Sequence, residues 1–224
     1  MKILLTILLT CFLFSVSKAQ PQFGILGGPQ ASTASYHITG YKQKTTYKYG
    51  FQLGALMKVP FEGNIYFVPE IFYSMKGYKA EFDHVSIPPD SAATDNDTRF
   101  HNIEVAALIQ IDLGTNPSHF FIKGGPSLDF QIFGNEKFNR VNKPTVDRKI
   151  KFGFADYGRY SANILGLFGY ESKSGFSVAL QYTLGLANII NTDGGPAVQH
   201  RVIGLQFSKL FNRKKIVLDT RNIE

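Results

Sequence analysis

Tryptophan is missing from this 224-residue chain, and cysteine occurs once, at Cys11. Cys11 falls in an N-terminal segment that reads Met-Lys, then apolar from Ile3 to Val16, then Ser17-Lys18-Ala19-Gln20. A charged start, a short apolar core and a small-x-small end describe a secretory signal peptide cut after Ala19. The core is shorter than the ~20 residues a membrane-spanning helix needs. Leu9-Thr10 is a poor lead-in for lipid attachment at Cys11. Removing the leader removes the only thiol, which excludes disulfides, zinc-thiolate centres and cysteine nucleophiles. No later apolar run reaches helical membrane length, so any insertion into a membrane has to use strands.

Charge of one sign is not concentrated either. The net charge of +7 falls by two when Lys2 and Lys18 leave with the leader, and the remaining basic residues are scattered. No Arg/Lys stripe with interleaved aromatics marks a nucleic-acid surface. What the chain has in quantity is aromatic residues and glycine, with 20 Phe, 11 Tyr and 21 Gly. That mixture suits strands with close backbone approaches and interfacial aromatic girdles.

The clearest strand pattern runs from Phe176 to Ala187. Phe176, Val178, Leu180, Tyr182, Leu184 and Leu186 share one parity, and Ser177, Ala179, Gln181, Thr183, Gly185 and Ala187 fill the other. Successive side chains of a strand point to opposite faces, so one face is apolar and the other small or polar. In a soluble sandwich the apolar face packs on a second sheet. In an outer-membrane barrel it meets lipid, while the small polar face lines the lumen.

Weaker alternation predicts seven more strands, over Phe23–Ser35, Tyr49–Val59, Ile65–Ala80, Phe100–Leu113, Phe120–Phe133, Tyr157–Tyr170 and Arg201–Phe211. Pro29 weakens the first. Between them the polar stretches Tyr36–Lys48, Glu81–Thr98, Gly134–Asp156 and Asn188–Val198 read as loops. Pro60–Asn64, Gly114–Ser118 and Glu171–Gly175 read as tight turns. Long and short connections therefore alternate. The pattern predicts an all-β fold: an eight-stranded antiparallel up-and-down transmembrane β-barrel with long extracellular loops and short periplasmic turns. Three regions follow: a leader over 1–19, the barrel over 20–211 and a polar periplasmic tail over 212–224. A soluble secreted lipocalin-like binding protein is the alternative, although such a protein carries Gly-x-Trp in its first strand and this chain has no Trp.

Four stretches resemble the PorT-like outer-membrane β-barrel family of Bacteroidetes: Pro69–Gly77, Gly124-Gly125-Pro126, Tyr182–Ile189 and Val202–Phe207. The resemblance implies an eight-stranded barrel of the cell outer membrane without an assigned activity. Its eponymous member is linked to secretion and gliding machinery. Such barrels often end on an aromatic final strand, whereas here Phe207 and Phe211 are followed by Asn212–Glu224.

His37, His84, His101, His119 and His200 have no nucleophile motif beside them, so no catalytic residue is assigned. The rival is a lipid-modifying barrel enzyme using His101 or His200. Asp90, Asp95 and Asp97 lack calcium-loop spacing, so no metal is assigned, and nothing calls for a cofactor. Asn96-Asp97-Thr98 and Asp90-Ser91-Ala92 match permissive glycosylation patterns and support an exposed loop. Gly124-Gly125-Pro126 reads as a bent strand. Glu70, Glu104, Lys123, Asp129 and Arg159 fall on the inward parity, where isolated charge is unfavourable. They predict a paired lumen network, Glu70 with Lys123 and Glu104 with Arg159. Phe176, Val178, Leu180, Tyr182 and Leu184 are the predicted lipid-facing residues. The expected protein is a non-enzymatic barrel with a filled lumen, with outer-membrane lipid around it. Protein partners would reach it through its loops or tail.

Overall fold

A computed structural model of the protein describes residues 21–211, so the predicted leader and tail lie outside the described residues. Ten strands form one sheet: β1 Gln22–Ile38, β2 Tyr41–Lys42, β3 Lys44–Glu62, β4 Ile65–Glu81, β5 Asp95–Leu113, β6 His119–Arg140, β7 Lys143–Lys149, β8 Tyr160–Glu171, β9 Phe176–Gly185 and β10 Ala197–Leu210. Neighbours pair antiparallel in the order β10-β9-β8-β6-β5-β4-β3-β1, and β10 pairs with β1 to close the ring. The short β2 hangs on β1 and β7 on β6, which leaves eight strands in the barrel wall. Closure removes the edges that an open sheet would expose.

Three connections at one end are short, over 63–64, 114–118 and 172–175. Gly63 and Gly175 take φ of 54° and 79° there, where a side chain would be strained. The other end carries the longer connections, of which 82–94 and 186–196 lack strand structure. Much of the predicted loop sequence is strand nonetheless. β1, β3, β4, β5 and β6 run past the apolar zone, taking in Tyr36–Ile38, Lys44–Lys48, Asp95–Thr98 and Gly134–Arg140. Their polar composition hides them because both sheet faces change character above that zone. Pro29 sits where the β1–β10 register breaks off between Gly27 and Gln30, so its missing N–H interrupts one seam only. Gly125 occupies a similar break on β6, where a Cβ would stand 2.2 Å from the Ala107 carbonyl oxygen.

The outward face is apolar around the ring. On β5 it carries Ile103, Val105, Ala107, Ile109, Ile111 and Leu113, and above them His101, Arg99, Asp97 and Asp95. Ten residue steps at ~3.4 Å, tilted by roughly 40°, span about 26 Å, the height of a membrane barrel's apolar band. Phe176, Val178, Leu180 and Tyr182 of β9 point outward and exposed, with Leu184 partly exposed. Leu53 of β3 is 62 % exposed and Ile71 of β4 54 % exposed. A continuous apolar belt of this extent has no counterpart on a monomer in water.

Candidate functional site: a filled lumen

Inward side chains on β5 read, from the short-turn end upward, Asp112, Gln110, Leu108, Ala106, Glu104, Asn102, Phe100, Thr98 and Asn96. That order divides the lumen into layers. At the short-turn end Lys58 Nζ donates to Asp112 Oδ2 and Glu171 Oε2, each at 2.9 Å, and lies 4.1 Å from the centroid of Tyr66. His119 Nε2 stands 2.9 Å from the same Asp112 oxygen. Asp112, His119 and Glu171 bring ligand-type atoms within 4.8 Å of one another, a donor set that suits a divalent cation. The Lys58 ammonium already supplies the positive charge at that centre.

An apolar layer follows, built from Leu26, Leu56, Phe72, Leu108, Phe121 and Leu165 among others. Within it Lys123 Nζ donates to Glu70 Oε1 at 2.5 Å and Gln206 Nε2 donates to Glu70 Oε2 at 3.0 Å. Burying this pair is tolerable because both charged groups keep further hydrogen bonds.

Lys76, Glu104 and Asp129 form the next layer, every one of them at most 2 % exposed. Lys76 Nζ donates to Glu104 Oε2 at 2.7 Å and to both Asp129 oxygens at 2.9 Å. Ser127 Oγ donates to Glu104 Oε1 at 2.5 Å, and Asn163 Nδ2 to Asp129 Oδ2 at 3.0 Å. Around this layer Asn102 and Gln131 carry polar atoms that no protein group among the described residues pairs. Here the interior is polar enough to admit single water molecules.

An aromatic cap closes the loop end. Tyr36, Tyr78, Phe100 and Tyr157 are all but fully buried, packed with Ile189, Ile190 and Val198. Tyr157 donates to Glu136 Oε2 at 3.0 Å and accepts from Asn96 Nδ2 at 3.1 Å, while Arg148 Nε donates to Glu136 at 2.6 Å. Burial holds the Tyr157 phenol well above its usual pKa, with Tyr78 and Glu136 adding to the rise. Tyr157 is therefore a neutral phenol, able to donate to Glu136.

Two predicted features need correction. Arg159 is not in the lumen: it is exposed, with its guanidinium 4.9 Å from the centre of the Phe152 ring. β8 starts at Tyr160, so strand alternation does not extend to Arg159. Gly158 N–H instead donates to Ile189, binding this segment to the cap. The partner of Glu104 is Lys76, which shares inward parity with Glu70 and was recognisable on that ground. Lys58 and Asp112 also lay on polar parities, whereas Glu171 was hidden in a predicted turn. The sequon at Asn96 is not an exposed loop either. Asn96 is 1 % exposed on β5 and serves the cap.

The other candidates are dispersed. His101 Nδ1 is 2.5 Å from Tyr73 Oη on the outer wall, and its ring stacks on Phe133. His200 is buried edge-on to Phe100 inside the cap. Neither is hydrogen-bonded to a serine among the described residues. Asp90, Asp95 and Asp97 have separate partners, Arg140, Asn139 and the lysines 48 and 79. The Ala92 N–H, followed by Arg140, holds the Asp90 carboxyl below its usual range.

A family model described as outer membrane protein beta-barrel domain matches residues 18–191. No curated protein sequence matches significantly. Among the solved structures similar to the chain are the following two. One is Ail, the attachment invasion locus protein of Yersinia pestis, in complex with the heparin analogue sucrose octasulfate. It shares 14 % identity and a TM-score of 0.44, over 85 % of this chain and 99 % of that one. The other is Neisserial surface protein A, with 12 % identity and a TM-score of 0.44, over 84 % and 97 % of the two chains.

Proposed function

The chain belongs to the outer membrane protein beta-barrel domain family, and from that premise we propose that it is a non-enzymatic barrel that holds an extended β surface outside the cell. The observation that carries this reading is the lumen filled with ionic, apolar and aromatic layers, beneath strands that continue beyond the apolar band. A barrel of eight strands has room inside for its side chains and little more. The wall contributes rigidity, and the protruding strands with the hairpin β6–β7 provide the surface for protein partners. The apolar outward residues, Phe176, Val178, Leu180, Tyr182 and Leu184 included, contact lipid. Export through a leader at 1–19 and a tail at 212–224 on the periplasmic side belong to the same reading. The PorT-like branch of Bacteroidetes is the finer placement, supported by the order of its four resembling stretches.

Orientation is the testable core of this proposal. An epitope inserted between Val141 and Asn142, at the tip of β6–β7, is expected to bind antibody on intact cells. The same epitope between Asn116 and Pro117, in a short turn, is expected to bind only after the cells are permeabilised. The reverse pattern, or no labelling at either site in a folded protein, would contradict the reading.

A further inference from the structure

At the short-turn end of the lumen one ammonium, Lys58, faces two carboxylates, and a histidine beside them has a ring nitrogen to spare. His119 opens β6 and is the register partner of Glu171, the last residue of β8, so both project inward at the same level. Asp112, next to last on β5, joins them from the other side of β6. All three are at most 7 % exposed. Their ligand-type atoms gather within 4.8 Å although they come from three strands.

The hydrogen bonds around this set prepare it for a metal. His119 Nδ1 is 3.0 Å from the Asn116 carbonyl oxygen, an atom that can only accept, so Nδ1 carries a proton. Nε2 lies 2.9 Å from Asp112 Oδ2, yet the two are not aligned as a hydrogen bond, and no other group among the described residues pairs Nε2. An imidazolium would turn its second N–H onto that carboxylate. A neutral ring with a lone pair on Nε2 accounts for the close approach differently: two ligands of one metal at ~2.1 Å stand roughly 2.8–3.4 Å apart with no bond between them. Histidines that bind metals donate their other ring N–H to a carbonyl or carboxylate, and ligating carboxylates are themselves held by hydrogen bonds. Asp112 meets the second condition, since Gln110 Nε2 donates to its Oδ1 at 2.6 Å.

We propose that Asp112, His119 and Glu171 bind one zinc ion at the short-turn mouth of the barrel. An imidazole among the ligands selects zinc over magnesium and calcium, which take oxygen ligands. The ion ties the turn over 114–118, anchored through His119 and Asn116, to the turn over 172–175 that follows Glu171. Ser118 Oγ already accepts the Lys173 N–H at 2.9 Å across the same two turns. Lys58 competes for the site, because its Nζ reaches the Asp112 and Glu171 carboxylates at 2.9 Å each. The Tyr66 ring, 4.1 Å from that ammonium, gives Lys58 an alternative partner when zinc takes the oxygens.

Calorimetric zinc titration of the untagged, chelator-treated, folded full chain tests this, in detergent with magnesium in excess. One saturable equivalent is expected. His119→Gln is expected to weaken it at least ~10-fold, the lower end of the cost of removing even an outer-shell partner of a metal. Lys58→Gln, which removes the competing ammonium, is expected to strengthen it. His84→Gln, at an exposed histidine paired with Asp83, should leave it unchanged. The heat-dependent shift of each variant's band verifies that it is folded. X-ray absorption at the zinc edge needs no variant: in the wild type, a first shell of oxygens with a single imidazole is expected. No saturable zinc binding, an unaffected His119→Gln, weaker binding in folded Lys58→Gln, or an equal loss in His84→Gln would overturn the site. So would a first shell with no imidazole or with more than one.

Discussion

Replacing Lys76 by Met is expected to cost the folded barrel on the order of 3–5 kcal/mol, read from denaturant unfolding in detergent or vesicles. The size follows from what the substitution leaves behind. Glu104 and Asp129 are fully buried, and Lys76 supplies the one ammonium that bridges them. Without it two carboxylates share an interior held only by neutral donors, Ser127 Oγ and Asn163 Nδ2. Adding Glu104→Gln and Asp129→Asn to the variant removes both stranded charges and is expected to restore most of the stability. If the triple variant stays as unstable as Lys76→Met alone, the loss belongs to packing and the ionic account of this layer fails. Lys79→Met gives the contrast. Its side chain is 58 % exposed and also pairs with an aspartate, yet exposed pairs contribute about 1 kcal/mol or less.

Leu180→Arg is the second large effect. Leu180 is at mid-strand on β9, opposite Phe168 of β8 and Leu205 of β10, and 54 % exposed. In a protein surrounded by water, so exposed a leucine would accept arginine at a cost within about 0.5 kcal/mol. Facing the middle of a bilayer, the same change costs ~2–4 kcal/mol. Unfolding from lipid vesicles is therefore expected to show the larger value. Gln199→Arg, outward on β10 above the band, is expected to show almost none. Equal, small effects at both positions would place the apolar face in water and revive a soluble secreted protein.

The parity of β9 was fully legible in the sequence because alternation is strict from Phe176 to Gly185 and every outward residue is apolar. The same held for β5 from Ile103 down to Leu113. What could not be read was the strand beyond the band. There the outward face turns charged, at Lys79, Asp97 and Lys137, while the inward face turns aromatic, at Tyr36, Tyr78 and Phe138. The apolar-out signature reverses, so a search for it stops where lipid stops and reports a loop. Register bulges add to the loss, between Tyr47 and Gln52 on β3 and at Ile132–Phe133 on β6, opposite His101. Counting parity across such a break moves a residue to the wrong face. The lumen network was half legible for a related reason. Glu70, Lys123, Glu104 and Asp129 lie within regular alternation, whereas Arg159 lies just before the first residue of β8. Lys76 lay in plain alternation with Glu70, but pairing across two strands needs three-dimensional reach that spacing along one strand does not provide.

Four successive layers close the barrel to solutes along its axis: Lys58–Asp112–Glu171, the leucine and phenylalanine layer with Glu70–Lys123, Lys76–Glu104–Asp129, and the tyrosine cap. Planar-bilayer recording of the purified, folded protein tests this closure most directly. A baseline without steady conductance is expected after insertion has been verified by the heat-dependent shift of the protein band. A large, steady, ohmic conductance from the wild-type chain would mean an open lumen and contradict it.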